Sequence, residues 1–152
     1  MRIALLGGTG DIGEGLALRW AFHSDHEVVI GSRDPEKARS KADDYQAEIE
    51  SRGVDTKLTG FQNGMAADRA DVVVLAVPAY HIADTVEAVE DSLSEGDILI
   101  TPATGMKRDE DGFHYHKPGA GSVTKIAVDA APDGVPVVGA FHNLAAGRLT
   151  DL

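Results

Sequence analysis

Short apolar runs alternate with longer amphipathic stretches from one end of the chain to the other. The runs are rich in valine, isoleucine and leucine, as buried parallel strands are. Strands are predicted at 2–6, 27–30, 54–59, 71–78, 97–101 and 135–141. Helices are predicted at 12–22, 35–52, 63–70, 82–93 and 122–131. The alternation predicts an α/β fold with a doubly wound parallel sheet of the Rossmann type, in one domain over residues 1–152.

Local signals define some boundaries of these elements. Asp34 is predicted to cap the second helix, with Pro35 in its first turn, and Gly53 marks its end. Asn63 is expected to cap the following helix in the same way. The polar stretch 105–118 is expected to be an irregular loop, and its length indicates a functional or mobile segment rather than a simple connector.

A glycine-rich turn, GGTGDIG at 7–13, follows the first strand and opens the first helix. It contains the GxGxxG spacing as Gly8, Gly10 and Gly13. In a dinucleotide site Gly8 permits the sharp turn, Gly10 lets the pyrophosphate approach the backbone, and Gly13 allows helix and strand to pack closely. The helix N-terminus adds free N–H groups and partial positive charge; the alternative is a purely structural turn. The predicted cofactor-binding residues here are Gly8, Thr9, Gly10, Asp11, Ile12 and Gly13.

The end of the second strand predicts which dinucleotide is bound. NAD-specific domains place an acid there to bind the ribose 2′-hydroxyl, whereas this strand continues as Gly31-Ser32-Arg33. Ser32 can donate to a 2′-phosphate, and Arg33 can pair with it and stack on adenine. Lys37 follows about one helical turn later. The pattern favours NADP over NAD, unless Arg33 and Lys37 are ordinary surface charges.

Spacing at Gly7, Gly10 and Gly13 also fits the GxxGxxG turn of extended short-chain dehydrogenases. Those enzymes transfer a proton through a Tyr-x-x-x-Lys pair. Four places after the three tyrosines stand Ile49, Asp84 and Gly119. The pair is absent, so that chemistry is not expected.

Charge and cysteine content narrow the class of protein. The chain has 25 acidic and 14 basic residues, a net charge of −11 and no cysteine. Such a surface repels nucleic acid and anionic membranes, so neither is an expected partner. Without cysteine a reducing cytoplasm is the expected compartment, and we expect neither a signal peptide nor a membrane span. The excess of aspartate and the few lysines favour adaptation to high salt. His114 and His116 lack an evident third ligand, so no metal is expected.

Four segments together resemble the archaeal NADPH:coenzyme F420 oxidoreductases: MRIALLGGTG at 1–10, VIGSR at 29–33, VLAVP at 74–78 and AFHNL at 140–144. The resemblance spans the whole chain. It implies that NADP and coenzyme F420 are the cofactors, and that a hydride moves between the nicotinamide and the 5-deazaflavin ring. The acidic bias suits a haloarchaeal member. That family forms homodimers through a small C-terminal helical part, which we expect this chain to lack.

The resemblance also implies roles for individual residues. Thr9, Ser32, Arg33 and Lys37 would bind NADP, and Val77 and Pro78 would line the nicotinamide side of the cleft. The candidate catalytic residues, beside the reacting rings, are His142, Leu144 and Thr9. By their charge alone, Lys107, Arg108 and Lys117 in the stretch 105–118 are candidates for the anionic tail of F420, with three acids, Asp109, Glu110 and Asp111, opposing them there. Three alternatives remain: an NADP-dependent reductase of a small imine or keto acid, a non-catalytic NADP-binding sensor, and a cytosolic domain of a membrane reductase.

Overall fold

The computed structural model describes residues 1–152. Its strands are β1 (Arg2–Leu6), β2 (Glu27–Ser32), β3 (Leu58–Gln62), β4 (Val72–Leu75), β5 (Ile98–Thr101), β6 (Met106–Asp109), β7 (Gly112–Tyr115) and β8 (Val137–Gly139). Its helices are α1 (Asp11–His23), α2 (Pro35–Ser51), α3 (Asn63–Ala67), α4 (Ile82–Glu87), α5 (Val123–Ala130) and α6 (Ala146–Leu149). None of the helices is both long and apolar enough to cross a bilayer.

Six strands form one sheet in the order β3-β2-β1-β4-β5-β8, and every neighbouring pair is parallel. The chain first builds outward from β1 to β3 and then returns to the other side of β1 at β4. The predicted doubly wound α/β fold is therefore confirmed. In such sheets a crevice opens beyond the carboxyl ends of the strands at the point where the strand order reverses, which here lies between β1 and β4.

Alternate residues of the strands enter two cores on opposite faces of the sheet. Leu6 and Leu75 pack on the face covered by α3, α4 and α5. Leu5 and Val74 pack on the other face, against α1 and α2. All four are fully buried, as expected for a parallel sheet whose two faces are both covered by helices.

Helix α2 begins and ends as the local signals indicate. The Asp34 carboxylate accepts hydrogen bonds from the backbone N–H groups of Glu36 and Lys37, so the predicted cap is confirmed. Gly53 follows with a positive φ of 79°, a conformation that ends helices at low cost only for glycine.

The third strand lies further along the chain than the predicted 54–59. The side chain of Gln46 donates to the carbonyl of Thr56 and accepts from the N–H of Leu58, which holds the preceding segment as a loop. Strand β3 then runs across the helix at Gly60, where a Cβ would lie 2.2 Å from the Ala38 carbonyl oxygen. Helix–strand contact, rather than β-propensity, decides the position of this strand.

Several other boundaries also differ from prediction. The helix expected at 63–70 ends at Ala67, and Asn63 lies inside it rather than capping it. The helix expected at 82–93 is α4 flanked by two short 3₁₀ turns. The strand expected at 135–141 keeps only Val137–Gly139, because this edge strand pairs only with the four-residue β5. The stretch 105–118 is not irregular: it contains the antiparallel hairpin β6–β7.

Candidate functional site

The turn after β1 is held by backbone hydrogen bonds to the end of β2. The N–H groups of Gly7 and Gly8 both donate to the Gly31 carbonyl, at 3.0 and 3.2 Å. Gly7, not Gly8, has the positive φ, at 77°, so the sharp turn expected at Gly8 is made one residue earlier. Gly8 is buried instead, and a Cβ there would lie 2.8 Å from the Leu5 carbonyl oxygen.

Beyond that turn the backbone presents N–H groups that the protein does not use. The N–H groups of Thr9, Asp11, Ile12 and Gly13 donate to no backbone carbonyl. They surround the N-terminus of the 13-residue helix α1, where aligned peptide dipoles give partial positive charge. Such a cradle fits a phosphate or pyrophosphate group.

Gly10 and Gly13 lack a side chain for different reasons. A Cβ at Gly13 would lie 2.5 Å from the Gly8 Cα, so helix and turn pack in direct contact there. A Cβ at Gly10 would meet only the Gly7 carbonyl oxygen, at 3.6 Å, which is ordinary contact. The φ of Gly10 is −99°, which other residues also adopt. Nothing within the protein requires glycine at position 10, whereas a ligand lying over it would.

A basic corner lies where β2 ends. Ser32, Arg33 and Lys37 line one cleft together with Thr9 and Gly10. The Ser32 hydroxyl oxygen accepts a hydrogen bond from the Asp34 N–H at 3.2 Å, which leaves its own proton free to donate. Arg33 and Lys37 are exposed and form no ion pair within the chain.

The same cleft contains residues that the sequence reasoning missed. Asn63, which begins α3 directly after β3, forms one wall of the cleft. The segment around α4 lines it from another side with His81, Asp84, Thr85 and Ala88. The sequence did contain a signal for Asn63, because it directly follows a strand and residues that follow parallel strands meet at one edge of the sheet. Asn63 was instead predicted to be a helix cap, and that prediction is wrong because no side-chain hydrogen bond caps α3.

A second, more apolar cleft continues from the first. Gly10, Ala76, Val77 and Pro78 line both clefts, so the two form one groove along the carboxyl ends of β1 and β4. The remaining residues of the second cleft are Asp11, Ile12, Ala79, Pro102, Ala103, Thr104, Met106, Phe141, His142 and Leu144. The structure thus brings the candidate NADP-binding and catalytic residues to this groove except Gly8 and Gly13, which are buried beneath the turn. Lys107, Arg108 and Lys117, the candidates for the F420 tail, line neither cleft.

The segment that carries His142 leaves the sheet with an unusual backbone. Phe141 is the only non-glycine residue with a positive φ, 66°. Its ring lies edge-to-face against Trp20, with centroids 5.8 Å apart. His142 and Leu144 are exposed at the cleft, and the His142 imidazole forms no hydrogen bond within the protein. Its ring nitrogens are therefore available to a ligand.

Tyr45 supports the turn after β1 from below. Its buried hydroxyl lies 3.2 Å from the Gly8 carbonyl oxygen and 3.4 Å from a carboxylate oxygen of Glu14. Burial first, and the Glu14 carboxylate second, raise the pKa of Tyr45 well above its usual range. The hydroxyl stays protonated and donates to the turn across the ordinary pH range.

The hairpin β6–β7 extends from the apolar end of the groove. Met106 reaches the cleft, while Arg108 lies over the ring of Phe113, 5.3 Å from its centroid. His114 pairs with Asp109 at 3.3 Å. No three side chains of metal-binding type lie together closely enough to hold an ion.

Comparison with known proteins gives consistent results. The family described as "NADP oxidoreductase coenzyme F420-dependent" has a model that matches residues 2–105. The F420-dependent NADP reductase of Methanocaldococcus jannaschii is 35% identical over 158 residues, covering 100% of this chain and 67% of its own length. That of Methanothermobacter marburgensis is 39% identical over 155 residues, with the same coverage. The chain thus spans about two thirds of the length of these relatives.

Solved structures extend the comparison to the fold. A protein from Arthrobacter sp. fb24, named as a candidate F420-dependent NADP reductase, is 24% identical with a TM-score of 0.70, over 95% of this chain and 64% of that one. A pyrroline-5-carboxylate reductase from Coxiella burnetii is 21% identical with a TM-score of 0.60. The match covers 90% of this chain and 42% of that one. At these identities the likeness concerns the fold alone.

Proposed function

The chain belongs to the family of coenzyme F420-dependent NADP oxidoreductases, and we propose that it binds NADP(H) in the groove and transfers a hydride between NADP(H) and coenzyme F420. The single observation that supports this best is the groove itself. It joins a basic corner, an N–H cradle and an apolar cleft, in that order, along the carboxyl ends of β2, β1 and β4. A dinucleotide with a phosphorylated ribose at one end and a nicotinamide at the other has that order of groups.

The residues present fit NADP at each of these places. The N–H groups of residues 9 and 11–13 would hold the pyrophosphate, and Gly10 leaves room for it. Ser32, Arg33 and Lys37 would hold the 2′-phosphate. Two acids lie close to this corner in sequence, and neither lines the cleft: Asp34 caps α2, and Glu36 pairs with Arg39. The acid that selects NAD is therefore missing from the end of β2.

Hydride transfer requires the protein mainly to orient two rings and to exclude water. Bound together, the nicotinamide and the 5-deazaflavin would supply the hydride donor and acceptor, with one proton exchanged with solvent. Val77, Pro78 and Leu144 would form the apolar walls, and the Thr9 hydroxyl would line the first cleft next to Gly10, which lines both. The His142 imidazole would donate a hydrogen bond to the nicotinamide carboxamide or the deazaflavin. Lys107, Arg108 and Lys117 would meet the anionic tail of F420.

The test is a spectrophotometric assay with oxidised F420 and either NADPH or NADH. We expect the deazaflavin absorbance to bleach with NADPH and not with NADH. Binding of both nucleotides is measured in parallel by calorimetry. Equal bleaching with NADH would contradict the proposed cofactor preference. NADPH binding with no bleaching would contradict catalysis by this chain and favour a sensor.

Three further features belong to the proposal. We propose that residues 1–152 act as one NADP-binding domain, that the protein works as a homodimer in the cytoplasm, and that it comes from a halophilic archaeon. The net charge of −11 supports the last point. At about 1 M salt the Debye length is roughly 3 Å, so only direct contacts to phosphate remain effective. An activity that persists in molar KCl is the expected result, and sedimentation measures the oligomeric state.

A further inference from the structure

Asn63 lies beside the basic corner although it comes from a different strand. Ser32 on β2 pairs in register with Gln62 on β3, so Asn63 follows its strand at the same edge of the sheet as Arg33. It lines the cleft together with Ser32, Arg33 and Lys37. Its place next to these groups is a consequence of the parallel pairing of β2 with β3.

The side-chain amide of Asn63 has no partner within the protein. Its Oδ1 is buried without a hydrogen bond and packs over Gly31, where a Cβ would lie 2.9 Å away. Its Nδ2 donates to no protein acceptor, and the amide does not cap α3. An unpaired buried polar atom is destabilising, so hydrogen bonding within the chain does not explain asparagine at this position.

With Oδ1 turned to Gly31, the amide nitrogen is the polar group that Asn63 presents to the cleft. The polar groups on the β2 side of the cleft are also donors: the Ser32 hydroxyl, the Arg33 guanidinium and the Lys37 ammonium. The carboxylate of Asp84 lines the cleft from α4. A phosphate has only acceptors to offer, and it accepts several donors at once. We propose that Asn63 donates to the 2′-phosphate of the NADP adenosine and is a further specificity-determining residue for NADP over NAD. This inference rests on the proposed function of the groove.

A neutral donor suits this chain. The overall charge of −11 repels a polyanion, and salt screens the attraction of exposed cations beyond a few ångströms. A hydrogen bond from an amide depends on contact rather than on long-range attraction. Asn63 would therefore account for a larger share of the 2′-phosphate affinity at high salt than at low salt.

Calorimetric titration with adenosine 2′,5′-bisphosphate and with 5′-AMP tests this. The two probes differ only in the 2′-phosphate. For Asn63→Ala we expect the affinity for the bisphosphate to fall roughly tenfold, the effect of one hydrogen bond to a charged group, and that for 5′-AMP to change by less than about twofold. Asn63→Asp keeps the shape but adds repulsion, so its loss is larger. Gln62→Ala is the matched control, since Gln62 is adjacent and exposed but does not line the cleft.

The outcomes separate this inference from the function on which it rests. If Asn63→Ala and Asn63→Asp leave the bisphosphate affinity unchanged, or weaken both probes equally, the role of Asn63 is wrong. If Arg33→Ala still weakens the bisphosphate selectively in that case, the NADP preference stands without Asn63. If the parent chain binds both probes equally well, the NADP preference and the role of Asn63 are both wrong. The inference is supported if the Asn63 variants lose affinity for the bisphosphate but not for 5′-AMP, both at low salt and in molar KCl.

Discussion

Gly10→Ala tests most directly whether a dinucleotide pyrophosphate lies over the turn after β1. The added methyl group would meet one protein atom, the Gly7 carbonyl oxygen, at 3.6 Å, and the backbone at Gly10 is already in a region that alanine adopts. Replacing glycine lowers the entropy of the unfolded chain but weakens the start of α1, two effects of similar size. The free energy of unfolding should therefore change by less than about 1 kcal/mol.

The bound state should respond differently. A methyl group between the backbone and a close-packed pyrophosphate acts like overpacking of a core, which costs about 1–3 kcal/mol. That corresponds to a loss of NADPH affinity of roughly 5- to 150-fold. Calorimetry measures the NADPH affinity, and chemical denaturation measures the free energy of unfolding. Gly147→Ala is the matched control, since a Cβ there meets nothing within 4 Å and Gly147 lines neither cleft.

Two results would refute this reasoning. Unchanged NADPH affinity in Gly10→Ala would mean that the pyrophosphate does not lie over this glycine. A loss of stability well above 1 kcal/mol would mean that the glycine serves the fold instead. Gly13→Ala gives the contrast: its Cβ would lie 2.5 Å from the Gly8 Cα, so it should destabilise the protein itself, by about 1–3 kcal/mol.

Three further changes have defined expectations. Arg33→Ala should weaken NADPH binding roughly 10- to 100-fold, the effect of a lost charged hydrogen bond, with NADH nearly unaffected; equal losses would remove the specificity argument. Because the folded-state pKa of Tyr45 is raised, the folded chain keeps a proton that the unfolded chain loses. Stability should therefore fall above about pH 10, by up to about 1.4 kcal/mol per pH unit, and a Tyr45→Phe variant with the same pH profile would contradict this. Phe141→Gly and Phe141→Ala both lose the contact with Trp20, but only glycine adopts the positive φ without strain. The Phe141→Gly variant should therefore be about 1 kcal/mol more stable to denaturant than the Phe141→Ala variant. Equal stability of the two variants would argue against strain at this position.

Local patterns were sufficient to locate much of the candidate site. The turn at 7–13, the absence of an acid after Ser32 and the cap at Asp34 all involve residues close together in the chain, where side-chain chemistry acts over a few bonds. The core strands β1 and β4 were equally clear in the sequence, because a strand buried on both faces must be apolar throughout. These features depend on periodicity and on neighbours in sequence, which a single chain displays.

Other features depended on contacts between distant segments. The position of β3 follows from the approach of Gly60 to Ala38, and the hairpin at Met106–Tyr115 from cross-strand pairing that its polar sequence did not reveal. The turn at Gly7 and the positive φ of Phe141 likewise arise from how the chain must leave the sheet.

The sequence by itself determined the class of fold, the presence of a glycine-rich turn between β1 and α1, and the sign of the charge at the end of β2. Only the tertiary structure decided that Asn63 joins Arg33 and Lys37 at one cleft, and that Pro78 lies where this cleft meets the one that contains His142. The reason is physical: residues from separate strands come together only through the order and register of the sheet. Neither the strand order nor the register can be read from the residues that neighbour any one of these positions in the sequence.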